Sequence, residues 1–387
     1  MVRYACRLMA SHARIDRALR RSRAAPAPAL AAFVLALALS LSLSLSLSLS
    51  LLAAPARAAT DAVYPAATWT EVAPEASGWS AETLKAADDV ARSIGTTSYL
   101  VIDKGRVVHA FGPVSQPFNL HSARKSVLSV LYGIAADRHQ ADLGKTLAAL
   151  AITDQGGLSN AEQQATVRDL LEARSGVYHP AAYETKEMKA DRPPRGSHAP
   201  GTFWYYNNWD FNTLGTIYRQ FTGKSVFEAL QDELAGPLHF EDFRPERDTQ
   251  WVFEPGSDHG AYIMRISARD LGRLGLLMAR GGRWDGRQIV STAWVEESTR
   301  SYSDVAPGVG YGYLWWVGQS GWHFGQRFAG PVFSARGHYG QFLLVDPVRD
   351  LVVVHEVGSD SRFTQPVSGR QFGELLAKIM QAAPAAP

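Results

Sequence analysis

Thiol chemistry is almost missing from this 387-residue chain, whose single cysteine, Cys6, lies in an arginine-rich N-terminal stretch. Everything after that stretch is free of cysteine, which excludes disulfides, thiolate metal sites and a cysteine nucleophile there. No Gly-x-Ser-x-Gly occurs, so a nucleophile elbow between strand and helix has no support. No His-Glu-x-x-His occurs either and the 11 histidines are scattered, so neither a metal site nor a cofactor is expected. Excess positive charge is also lacking. The formal net charge is +2, but the first 58 residues hold eight arginines and one acid; setting that +7 aside leaves −5 for the remainder. That balance argues against a nucleic-acid partner. What is present is ordinary for a globular protein, with 46% apolar and 20% charged residues. The length is enough for two lobes or one large domain.

Residues 1–58 read as an export signal. Arginines precede an apolar segment from Ala29 to Leu52, and Ala56-Arg-Ala58 fits a small-x-small cleavage site. The Leu-Ser repeat between Leu39 and Leu51 is low complexity and contributes no fold. The apolar segment is long for a signal core, so the alternative is an uncleaved membrane anchor. In both cases the arginines stay inside and the rest is exported, to the periplasm or beyond. Cys6 is not beside the cleavage site, which argues against a lipoprotein.

After an extended lead over 59–79, residues 80–387 are expected to form one domain. Ser80-Ala-Glu-Thr-Leu opens an amphipathic helix to about Ala91. Ser98–Asp103 and Arg106–Phe111 flank Lys104-Gly105 as a tight hairpin, and a helix carrying Ser122 follows. Residues 141–259 read as helix and loop, with helices over Thr166–Ala173, Asn212–Phe221 and Val226–Leu234. Ser267–Arg280 and Ser291–Ser298 are further helices. Strand patterns then take over at Gly312–Val317, Val332–Ala335, Gln341–Val345 and Asp350–Val357, before a last helix from Val367 to Gln381. Strands near both ends predict an α+β fold. One antiparallel sheet is built from 80–140 and 260–387 and flanked by helices, with 141–259 as an all-α lobe beside it.

Three segments carry chemistry. In Ser122-Ala-Arg-Lys125, the spacing puts hydroxyl and amine one helical turn apart on one face. A desolvated lysine there can be neutral and take the serine proton. The plainer alternative is an N-cap serine beside a solvated lysine. The second segment is Tyr206-Asn207-Asn208. A tyrosine near an ammonium has a lowered pKa and serves as base or relay, while Asn208 can hold the lysine and a substrate carbonyl. The third is Ser334-Ala-Arg-Gly-His-Tyr-Gly-Gln341, glycines at a strand edge. The N–H after such a glycine could pair with the N–H of Ser122 as an oxyanion hole. His121 borders the serine, but a sequence neighbour at a helix start points elsewhere, so it is expected to pack.

In this order and spacing the segments resemble the serine β-lactamase and penicillin-binding-protein superfamily, in its class C-like branch with family VIII esterases and 6-aminohexanoate-dimer hydrolases. Leu170–Val177, Ser267–Gly275, Gly281–Ile289 and Trp294–Ser298 extend the resemblance along residues 80–380. It implies that Ser122 is the acylated nucleophile, with Lys125 its proton acceptor. Tyr206 and Asn208 are then the second motif, and Gly337 and His338 the oxyanion segment. Ala335 stands where β-lactamases carry lysine, and no Lys-Ser/Thr-Gly exists in the chain. The cation that would recognise a β-lactam carboxylate is thus missing at its usual place, with Arg336 and His338 left as substitutes. The expectation is therefore a hydrolase of small esters or linear amides. A DD-peptidase, D-aminopeptidase or β-lactamase is the alternative, and a non-catalytic binding or sensor protein a further one.

Overall fold

In the structure, a computed structural model describing residues 62–385, the expected hairpin is present. Strands β1 (Ser98–Asp103) and β2 (Arg106–Phe111) meet at Lys104-Gly105, where φ is 50° and 79°. Two positive φ values in a two-residue loop match the right-handed twist of the strands. β1 is buried at every position, and its other edge pairs antiparallel with a strand from the far end of the chain, Leu351–Glu356.

The remaining strands of this sheet are β3 (Ser303–Ala306), β4 (Val309–Tyr311), β5 (Trp316–Gly318), β6 (Phe333–Gly337) and β7 (Gln341–Asp346). The Leu351–Glu356 strand is β8. Their order is β2-β1-β8-β7-β6-β5-β4-β3, antiparallel throughout. Side chains alternate across it. Leu100, Ile102, Leu343, Val345, Val352 and Val354 face one core, and Tyr99, Val101, Phe342, Leu344, Leu351 and Val353 the other. With both faces covered, the central strands are continuous apolar runs.

Five longer helices pack around it: α1 (Ala81–Ile94), α2 (Arg124–Asp137), α3 (Asn208–Thr222), α4 (Ala268–Ala279) and α5 (Gly369–Ala382). The caps follow the sequence: Ser80, Asn207, Ser267 and Ser368 each accept a backbone N–H at the start of α1, α3, α4 and α5. α1 and α5 cover one face, with Leu84, Phe372 and Leu376 in its core; α2 and α4 cover the other. The fold is thus α+β, an antiparallel sheet from both ends of the described chain flanked by helices.

Several boundaries differ from the expectation. The strand placed at Gly312–Val317 is mostly the turn between β4 and β5, where Leu314 adopts φ 64°; only Trp316 and Val317 of that range lie in a strand. β3 was not expected; its Ser-Asp-Val-Ala sequence has no apolar alternation of its own. The helix at Thr166–Ala173 is only Val167–Leu171, and that at Val226–Leu234 passes into a π-helical turn, Leu230–Ala235. A small sheet of Phe118–Asn119, Ala261–Ile266 and Thr249–Val252 adds a strand within 141–259. The expected export segment lies outside the described residues. Among the described residues no helix is long and apolar enough to cross a membrane.

Candidate active site

α2 begins at Arg124 directly after a 3-10 turn, His121–Ala123, that holds Ser122. Neither the turn nor the helix has a side-chain cap, so Ser122 is not the N-cap of the plainer reading. Lys125 is not solvated either; it is 1% exposed. Its Nζ lies 2.8 Å from Ser122 Oγ, 2.8 Å from Tyr206 Oη and 2.9 Å from Asn208 Oδ1. The first two motifs therefore converge on one nitrogen.

Local chemistry fixes the second motif. Asn207 caps α3, accepting the Asp210 N–H at 2.9 Å, and so points its neighbours Tyr206 and Asn208 back toward α2. Ser175 donates to Asp210, tying the Leu170–Val177 segment to the same helix start. Asn208 Nδ2 donates to the Tyr183 carbonyl at 2.6 Å and lies 3.5 Å from that of Ala182. Its amide is spent on the protein. Asn208 thus contacts the lysine through its oxygen, while its nitrogen is turned toward the Tyr183 carbonyl.

The electrostatics correct one expectation. Burial, with the charge of Arg124 beside it, holds the Lys125 amine well below the usual lysine range. Tyr206 is pushed up to about 12, not down: burial outweighs the opposing hydrogen bond from Ser122 and the charge of Arg124. The expected lowering presumed that the charge of Lys125 would act on the phenol, whereas burial is the larger influence on it. The Tyr206 ring packs 4.8 Å from Phe211 and 5.6 Å from Trp316, centroid to centroid.

His121 packs, as expected. It adopts φ 46°, rare for a bulky residue, and its ring nitrogens meet Ser359 Oγ at 2.8 Å and Tyr183 Oη at 3.2 Å instead of Ser122. Burial lowers its pKa to about 3, so the imidazole is neutral.

The third motif lies against the first. A Cβ on Gly337 would fall 2.2 Å from the Leu120 carbonyl oxygen, so only glycine lets β6 approach the turn before Ser122 so closely. β6 pairs with β5 only through Phe333 and Ser334, which leaves the Ala335–Gly337 edge open on that side. Ala335 is buried in the core shared with α2. By strand alternation Arg336 projects from the opposite face. Its Nε donates to Ser334 Oγ at 3.0 Å, its guanidinium stacks on Phe324 and Trp316, and it lines a cavity of about 720 Å³ with Trp322, His323 and Arg370. Arg336 therefore does not fill the place of a lysine at 335. His338 is exposed, its ring against His121 and Tyr339.

A serine, a buried amine, a phenol and an open strand edge are thus brought together from three separate segments. The family model for β-lactamase matches residues 81–355. The chain belongs to the β-lactamase family. Within it, a 6-aminohexanoate-dimer hydrolase from Paenarthrobacter ureafaciens is 29% identical over 193 residues, 47% of this chain and 46% of that protein. The chain spans about half the length of the curated relatives it matches. Among solved structures, a family VIII carboxylesterase superposes with TM-score 0.58 at 15% identity, over 78% of this chain and 97% of the other. A penicillin-binding-protein homologue from Caulobacter crescentus gives 0.55 at 18%, over 78% and 99%. At such identities the likeness is one of fold. β-Lactamase family membership also makes hydrolase chemistry the broad expectation for the site.

Sequence reasoning passed over Arg124, Tyr183, Tyr262, Trp316 and Ser359. Arg124 sat inside the first motif in plain view. The others lie in segments without a motif, and only the fold brings them to the site.

Proposed function

We propose that this protein is a serine hydrolase of carboxylic esters or linear amides that works through an acyl-enzyme on Ser122. The observation that carries the reading is the three-way contact of Lys125 Nζ with Ser122, Tyr206 and Asn208. A neutral amine has two N–H bonds and one lone pair. Asn208 Oδ1 can only accept, so it takes one N–H, and Tyr206 Oη takes the other. The lone pair is left for the Ser122 hydroxyl proton.

In the proposed cycle Ser122 Oγ attacks the substrate carbonyl carbon as its proton passes to Lys125. The N–H groups of Ser122 and His338 stabilise the oxyanion. Tyr206, kept protonated by burial, gives its proton to the departing alkoxide or amine and is reprotonated from Lys125. Water then attacks the acyl carbon, loses a proton along the same route, and releases the acid and Ser122. Lys125 and Tyr206 titrate as a coupled unit in this scheme.

Ala335 at the open edge disfavours β-lactams and D-Ala-D-Ala peptides, since the cation that would meet their carboxylate is absent from that face. Intact-mass measurement of Ser122 adducts tests the reading, across short p-nitrophenyl esters, a linear amide dimer, nitrocefin and a D-Ala-D-Ala peptide. Esters or the amide are expected to acylate the wild type and not Ser122→Ala, with nitrocefin and the peptide far slower. If no member of the panel reacts through Ser122, the hydrolase reading is lost.

A further inference from the structure

Arg124 stands between the two residues that define the site and is 1% exposed. Its Nη1 donates to the His121 carbonyl at 2.7 Å, while Nε and Nη2 have no protein partner. The guanidinium sits between two rings, with Cζ 5.4 Å from the centroid of Tyr183 and 5.1 Å from that of Tyr262. No acid forms an ion pair with it among the described residues. The guanidinium is thus a buried charge compensated by one carbonyl and two π-faces. Such a charge is costly to bury and is unusual without a carboxylate.

We infer that Arg124 is a positioning residue acting through Lys125, its fixed charge keeping the neighbouring amine free of a proton so that it can accept the one from Ser122. The inference rests on the hydrolase reading above. The groups facing this centre from the surrounding elements carry no rival charge. Tyr206 before α3, Tyr262 on the Ala261–Ile266 strand and Tyr311 on β4 are phenols raised by burial. Asp210 on α3 is driven well above the carboxylate range by burial, and His121 in the turn is neutral. Tyr183 meets Arg124 only with its ring and its hydroxyl points to Asn119 and His121, with exposed His338 beyond, while Arg336 projects from the other face of β6. Arg124 and Lys125 are consecutive residues of α2, both buried, and like charges sharing one buried site disfavour each other's charged form. The start of α2 adds a partial positive charge of the same sense.

The test is the pH dependence of Ser122 acylation by a small ester or a fluorophosphonate. In the wild type the acid limb of kcat/KM, where Lys125 must lose its proton, falls well below the ordinary lysine value of about 10.4. In Arg124→Gln, and in Arg124→Met whose chain also fits between the rings, the limb moves up by about one to two pH units. At pH values below the wild-type limb, activity then falls roughly ten- to hundredfold, and it returns at high pH. A merely structural role predicts the same loss at every pH. A folded neutral variant with an unmoved limb overturns the inference, as does a wild-type limb above about pH 9, which needs no variant at all. A wild type that reacts at no pH strikes the hydrolase reading itself and takes this inference with it.

Discussion

Glu162 and Lys125 are equally buried, at 2% and 1% exposure, yet their surroundings differ in kind. Glu162 meets Arg195 at 2.7 Å, His179 at 3.2 Å and the Ser159 N–H at 2.7 Å. Burial alone would raise its pKa; Arg195, Ser159 and His179 reverse that and hold the carboxylate below its ordinary range. Lys125 meets two hydroxyls, one amide oxygen and the faces of Tyr206 and Phe211, and the charge nearest to it has its own sign. The first cluster keeps its ion charged and fastens 141–259 together. The second disfavours the charged form of its lysine. Buried ions met by opposite charge belong to scaffolding, and one met only by neutral partners and a like charge is poised for proton transfer.

That contrast can be broken by substitution. Lys125→Met is expected to lower kcat/KM by about a thousandfold or more, since no other base contacts Ser122. It should cost little stability, with Tm within a few degrees of wild type, because no acid is left behind unpaired. Steady-state kinetics beside a thermal melt check both halves. Tyr206→Phe keeps the ring against Phe211 and Trp316 and removes only the relay hydroxyl. A fall of roughly a hundredfold is expected, steeper for substrates with poor leaving groups, which a leaving-group series measures. Glu162→Gln should do the reverse: unchanged activity per folded molecule and a stability loss of about 2 kcal/mol at neutral pH. Because the folded pKa of Glu162 is depressed, its contribution is full above about pH 4.3, the unfolded value, and fades as pH falls through the folded one. Denaturant melts of the pair should converge once the pH lies below the depressed folded value. A Glu162→Gln protein as stable as wild type at pH 7 would show that cluster to be ornamental.

Much of this architecture could be read before any coordinates. The Lys104-Gly105 turn, the caps at Ser80 and Ser267 and the apolar runs of β7 and β8 are local signals, decided by residues a few positions apart. Ser122, Lys125, Tyr206, Asn208 and Gly337 were all named from their segments, and the fold gathers them. What failed was anything set by distant neighbours. The charge state of Tyr206 depends on how dry Phe211, Trp316 and Tyr311 make its pocket. The burial of Arg124 depends on Tyr183 and Tyr262, which no spacing rule connects to it. β3 and β4 were lost because a short strand rich in Gly, Ser and Asp reads as a loop until a partner strand defines it.

The pairing of β1 with β8 has a kinetic consequence. Ser98–Asp103 must wait for Leu351–Glu356 before the middle of the sheet can close, and β8 is also the bridge to β7 and β6. A topology dominated by such remote partnerships folds slowly, because the entropy of closing a very long loop is spent before its contacts repay it. Until β8 arrives, β1 and β2 are a hairpin with one bare apolar edge, a surface on which another chain can dock. Gly337 reaches the turn before Ser122 only through that same late step. Ser122 is therefore synthesised early and meets its Gly337 neighbour late.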